Sequence, residues 1–115
     1  LISDLKANGK LEKTLVVVLS EFGRTPRIND GGGRDHWARV FSCMMAGGGI
    51  KGGSIVGASD EDGMDPAERP VKVADLHATL CHALGIDTSK ELTTPLGRPM
   101  RLVRKEAAPI HELFA

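Results

Sequence analysis

Hydrophobic residues along this chain gather in short bursts, and the densest is Leu15-Val16-Val17-Val18-Leu19, bounded by Lys13 and stopped at Ser20-Glu21-Phe22-Gly23. A run so short, aliphatic and β-branched, with no polar residue alternating in it, predicts a strand over 14–19 buried on both faces. Ahead of it, Leu1, Ile2 and Leu5 mark the tail of an amphipathic helix that Asn8-Gly9 ends in a left-handed cap. A helix feeding a buried strand is half of an α/β crossover unit. The predicted class is therefore α/β, with a mostly parallel sheet flanked by helices.

Later bursts extend this pattern. Val40, Phe41 and Cys43 predict a second buried strand within 38–46, cut off by the glycines after Ala46. Val73, Leu76, Leu80, Ala83 and Leu84 recur at three- and four-residue steps, which predicts a helix over 71–85 ending in a Schellman-like stop at Gly85-Ile86. Met100 to Val103 reads as a short edge strand and Ile110 to Phe114 as a final helical turn. Between these elements the polar stretches read as loops. In 22–34, Pro26 keeps Thr25 extended and Asn29-Asp30-Gly31 is turn chemistry. The stretch 58–70 is acidic and lacks the ordered spacing of a calcium-binding EF-hand. Gly47-Gly48-Gly49-Ile50-Lys51-Gly52 has the glycine spacing of a dinucleotide loop. No helix pattern opens directly after it, so a nucleotide site is rejected.

Composition narrows the picture. Fifteen Lys plus Arg balance fifteen Asp plus Glu, so no net field favours nucleic acid or anionic lipid as a partner. No apolar stretch approaches the ~20 residues that span a bilayer. Cys43 and Cys81 form no Cys-x-x-Cys pair and read as small core residues. The 115 residues suit one domain at most. Opening at Leu1 in mid-helix, they are expected to be a single segment, 1–115, of a longer chain.

Chemically capable side chains converge at one place. Glu21 falls just past the end of the valine-rich strand, where open α/β sheets put their ligand sites, and the Gly31-Gly32-Gly33 loop returns Asp35 and His36 towards it. Glu21, Asp35 and His36 are oxygen and nitrogen donors of the kind that hold zinc, manganese or calcium. Arg24 and Arg34 are planar forks suited to sulfate, phosphate or carboxylate. A metal beside an oxyanion can polarise an S–O or P–O bond. The plainer alternatives stay open: Glu21 pairs with Arg24 or Arg34, His36 packs beside Trp37, and the glycine loop is mobile and without a role. His77 and Cys81 share a helix face, but two ligands without a third make no metal site.

Three blocks carry a family likeness. Thr14 to Pro26 with Gly33-Arg34-Asp35-His36-Trp37, Gly57 to Gly63, and Val73 to Leu80 ending in Leu84-Gly85-Ile86-Asp87 together resemble the C-terminal part of exported, sulfatase-like proteins. Those proteins are grouped as the domain of unknown function 1501 family, within the alkaline phosphatase superfamily. The resemblance implies the C-terminal segment of an alkaline-phosphatase-like domain, exported or periplasmic in its parent. It also implies a parent that is a metal-dependent hydrolase of small sulfate or phosphate esters, completed by the remainder of the parent chain. By that likeness Glu21 takes the place of a metal-binding Asp and His36 that of a later metal-binding His. Arg24, with Arg34, would contact the oxyanion, and Asp35 would be a ligand or would orient one. Phe22 stands where the superfamily carries a further metal-binding His. A phenyl ring cannot coordinate, which leaves a single metal, substitution by Asp35, or a dead centre. The superfamily's nucleophile lies upstream of the residues matched here, so no turnover is expected of these 115 residues alone. The competing reading is a noncatalytic binding or scaffold domain that kept the fold and lost the two-metal centre.

Overall fold

The computed structural model describes residues 1–114. Its first element is helix α1 (Ile2–Ala7), and its longest is α2 (Val73–Ala83). Both helices end as their sequences require. Gly9 and Gly85 adopt φ of +64° and +68°, the left-handed conformation that glycine tolerates best. The amide after each glycine then reaches back to a carbonyl of the last turn, Lys10 to Leu5 and Ile86 to Cys81. With the glycine amides bonded to Lys6 and His82, both ends are complete Schellman motifs.

The core lies against one stripe of α2. Leu76, Ala78 and Thr79 are buried there beside Val103 and Ile110. Val73 and Leu84, expected on the buried face, are 54% and 63% exposed. Thr79 is the polar centre of this core. Its hydroxyl donates to the Asp75 carbonyl at 2.7 Å and accepts from the Ile110 N–H at 2.9 Å, so the returning C-terminal segment is bonded to the helix inside the apolar cluster. The Asp75 carboxylate takes the Ala108 N–H in the same way, at 3.1 Å.

The strands are short: β1 (Val16–Val18), β2 (Gly23–Arg24), β3 (His36–Trp37), β4 (Met44–Ala46), β5 (Ala58–Ser59), β6 (Pro66–Glu68), β7 (Glu91–Thr93) and β8 (Pro99–Arg101). They form four two-stranded sheets, β1 with β4, β2 with β3, β5 with β6 and β7 with β8, and every pairing is antiparallel. This overturns the expected α/β class, including the partial sulfatase-like fold with a parallel sheet flanked by helices. A parallel neighbour needs a crossover of a dozen or more residues, usually helical. The chain leaving β1 instead turns back through the β2–β3 hairpin and reaches β4 without forming a helix. β1 is not an interior strand either, for Val16 and Val17 are half-buried and Val18 is 57% exposed.

Two other expectations change. The strand expected over 38–46 contracts to Met44–Ala46 and leaves Cys43 exposed. The acidic stretch after Gly57 is a hairpin, whose turn is held by the Asp60 carboxylate accepting the Met64 and Asp65 amides at 2.7 and 3.2 Å. The accessible surface is 8653 Å², against about 6,100 Å² for a compact monomer of this mass, so many apolar side chains remain half covered. No helix among the described residues is long and apolar enough to cross a membrane.

Candidate functional site

The residues expected to carry the chemistry all lie on or beside the β2–β3 ribbon. Gly23 faces Trp37 and Arg24 faces His36 in an antiparallel register, which the Thr25 N–H extends by one step to the Asp35 carbonyl at 3.0 Å. Glycine is required at 23 because a Cβ there would overlap the Val40 carbonyl oxygen. Beyond Thr25 and Asp35 the chain leaves the ladder as a loop, 26–34, and the Asn29 side chain organises it. Its Oδ1 accepts the Gly31 and Gly33 amides, both at 3.0 Å, and its Nδ2 donates to Asp35 Oδ1 at 2.9 Å. The Asn29 backbone adds two bonds, its N–H donating to the Gly33 carbonyl at 2.8 Å and its carbonyl accepting the Gly32 N–H at 2.9 Å, so the loop that looked mobile is tied at its centre.

Successive residues on an extended strand point to opposite faces. Arg24 and His36, directly opposite one another, share a face with Phe22, whose ring stacks on the imidazole with centroids 3.9 Å apart. The Arg24 guanidinium lies 5.6 Å from that phenyl centroid. His36 therefore packs on Phe22 rather than beside Trp37. Asp35 and Trp37 belong to the other face, where they line an open cleft of about 340 Å³ with Thr25 and Met64. Trp37 is fixed there by an indole N–H bond of 2.7 Å to the Met64 carbonyl. Adjacency in the sequence thus separates Asp35 from His36 in space.

The two arginines partly serve the loop itself. Arg34 donates through one nitrogen to the Thr25 carbonyl at 2.8 Å and to that of Pro26, and Arg24 donates to the Arg34 carbonyl at 3.1 Å. Each guanidinium has five donors, so both keep others to offer an anion. Glu21 is exposed at the bend after β1, and among the described residues no ion pair joins it to Arg24 or Arg34. Among the described residues, no group of three or more His, Cys, Asp and Glu side chains is placed to hold a metal ion.

A match to a family model spans this ribbon and almost everything around it, residues 1–114. The chain belongs to the family described as "Protein of unknown function (DUF1501)". No curated protein and no solved structure matches it. The DUF1501 assignment bears out the family half of the sequence resemblance and leaves the activity open. In this DUF1501 chain the sequence marked Asn29 only as turn chemistry and Trp37 only as a neighbour of His36, and it did not single out Met64. The Asn-x-Gly-x-Gly spacing at 29–33 is a readable sign of a side chain that caps two amides. Nothing local announces Met64, which meets Trp37 across 27 positions.

Proposed function

We propose that this chain is a noncatalytic binding element whose β2–β3 ribbon offers an anion-contacting face built from Arg24 and His36, with Arg34 at its edge. One observation carries this reading: the side chains that meet His36 on this face are the Phe22 ring, stacked on it at 3.9 Å, and Arg24 opposite it, an aromatic ring and a cation rather than further metal donors. A guanidinium and an imidazole side by side can bind sulfate, phosphate or a carboxylate without a metal.

The second reading keeps the metal-dependent ester hydrolase, with the alkaline phosphatase superfamily as its origin. It is favoured by one feature: neither the Glu21 carboxylate nor the His36 imidazole has a hydrogen bond or ion pair to protein among the described residues. Two uncommitted donors can take a zinc, manganese or calcium ion once further ligands and a nucleophile come from elsewhere in the protein. Titration of the full-length protein with each metal, alongside Glu21→Ala and His36→Ala, separates the two. The binding reading expects affinity for metal to be weak and indifferent to both substitutions. Tight binding abolished by either one overturns it and installs the hydrolase.

A further inference from the structure

We propose that the cleft on the opposite face of the ribbon is a carbohydrate-binding subsite. The cleft of about 340 Å³ has an apolar wall in Trp37, Ile28 and Met64, and polar groups in Asp35 and Arg27. Its volume falls in the range of small-molecule sites, which join an apolar surface to a few placed polar groups.

The framework of this cleft is built from bonds satisfied within the protein. The Trp37 indole is held by the Met64 carbonyl, and Met64 is held in turn by its amide bond to Asp60. Arg39 and Asp65 form an ion pair beside them, with the Arg39 guanidinium 5.8 Å from the indole centroid. On the other wall Thr25 donates to the Arg27 carbonyl and accepts the Asp35 amide, while Asn29 spends its side chain on Gly31, Gly33 and Asp35. Two polar groups are left over. Asp35 Oδ2 has no protein partner among the described residues, its Oδ1 being taken by Asn29, and no hydrogen bond or ion pair engages the Arg27 guanidinium.

A fixed indole flanked by one spare carboxylate oxygen and one spare guanidinium suits a ligand with a flat C–H surface edged by hydroxyls. A pyranose ring is such a ligand: its apolar face lies on the indole, and its hydroxyls donate to Asp35 and accept from Arg27. The cleft is open to solvent, as a site for one unit of a longer saccharide must be. Trp37 is the single tryptophan of the sequence, so its fluorescence reports directly on occupancy.

The test titrates the protein with neutral gluco-, galacto- and manno-oligosaccharides, reading Trp37 emission, with calorimetry on the same samples. Saturable shifts with a dissociation constant of about a millimolar or tighter are expected for at least one series. Arg27→Ala, whose side chain holds no part of the loop, is expected to weaken that binding about tenfold, equivalent to about 1.4 kcal/mol. Trp37→Phe, read by calorimetry, is expected to weaken it as well. Absence of saturation with every series overturns the proposal, as does binding indifferent to Arg27→Ala. Free amino acids form the control arm, because an ammonium on Asp35 and a carboxylate on Arg27 would make the site one for zwitterions. Saturation by amino acids and by no sugar also overturns it. The metal titration of Glu21 and His36 reads the other face of the ribbon, so either proposal can fail without the other.

Discussion

The Asn29 side chain is one of the ties that order the 26–34 loop, beside its own backbone bonds to Gly32 and Gly33 and the Arg34 side chain, and replacing it with alanine isolates its share. The substitution deletes the acceptor of two backbone amides, Gly31 and Gly33, and the donor to Asp35 Oδ1. Each of these bonds is exposed, so each contributes towards the low end of the usual net value, about 0.5 kcal/mol. Together they amount to about 1.5 kcal/mol, which corresponds to roughly a tenfold rise in the population of the open loop. The two glycine amides are the direct reporters, because among the described residues Asn29 Oδ1 is the only acceptor of either. Amide exchange followed by NMR should show both accelerating about tenfold in Asn29→Ala, while the amides of α2 keep their rates. Asn29→Asp sharpens the test. It keeps the acceptor for both amides but sets a second carboxylate against Asp35, so it should retain Gly31 and Gly33 protection better than alanine does. Unchanged exchange at both glycines in Asn29→Ala would refute the assignment and return the loop to the mobile, roleless segment that its composition suggests.

Two further outcomes follow from bonds elsewhere in the fold. Thr79→Val keeps the shape of a fully buried side chain but leaves the Ile110 N–H without an acceptor, so denaturant unfolding should show a loss of about 1–3 kcal/mol. Thr79→Ser, which retains both bonds, should lie between the variant and the native protein; equal stability of Thr79→Val and native would refute the bond's role. The Arg69 guanidinium, bonded to Glu112 at 2.8 Å, holds the Glu112 carboxyl below the ordinary glutamate value. A lowered folded value means that this contribution to stability is present above the ordinary carboxyl range and is lost as pH falls through the lowered value. An NMR titration should therefore show Glu112 titrating at higher pH in Arg69→Ala than in the native protein, and an unchanged titration would refute the pairing.

How far the sequence revealed this molecule depends on the range of the interaction concerned. Helices α1 and α2, with their glycine stops, were legible because capping is decided within six consecutive residues. The strand at Val16–Val18 was legible as a strand, but not its neighbour. An all-aliphatic run specifies an extended, apolar segment; which strand pairs with it is decided by the connection that follows. Here that connection is itself a hairpin, and the parallel sheet inferred from a helix-then-strand order does not form. The buried stripe of α2 shows a related failure. Apolar periodicity places Leu76 correctly in the core but also picks Val73 and Leu84, whereas Thr79 is the fully buried position, because a threonine whose hydroxyl is satisfied twice can enter a core that hydropathy denies it.

The candidate site shows why residue type and proximity in sequence do not by themselves make a centre. Asp35 and His36 are both able to bind a metal, and the glycine loop is expected to return both towards Glu21. In a helix or an irregular loop neighbours can converge; on an extended ribbon the pleat sends them to opposite sides. The hairpin register then decides which other groups each one meets. His36 meets Arg24 and Phe22, a cation and a phenyl ring, and Asp35 meets Trp37 and the Asn29 amide. One face thus becomes suited to anions and the other to a hydroxyl-edged apolar ring. For both donors to serve one ion, the ladder would have to break between Thr25 and Asp35. That rupture would also release the Arg34 bonds to Thr25 and Pro26 and the Asn29 bond to Asp35. Any ligand that drew Asp35 and His36 together would therefore have to supply enough binding energy to replace that whole set of bonds, whereas a ligand using either face separately leaves the ribbon intact.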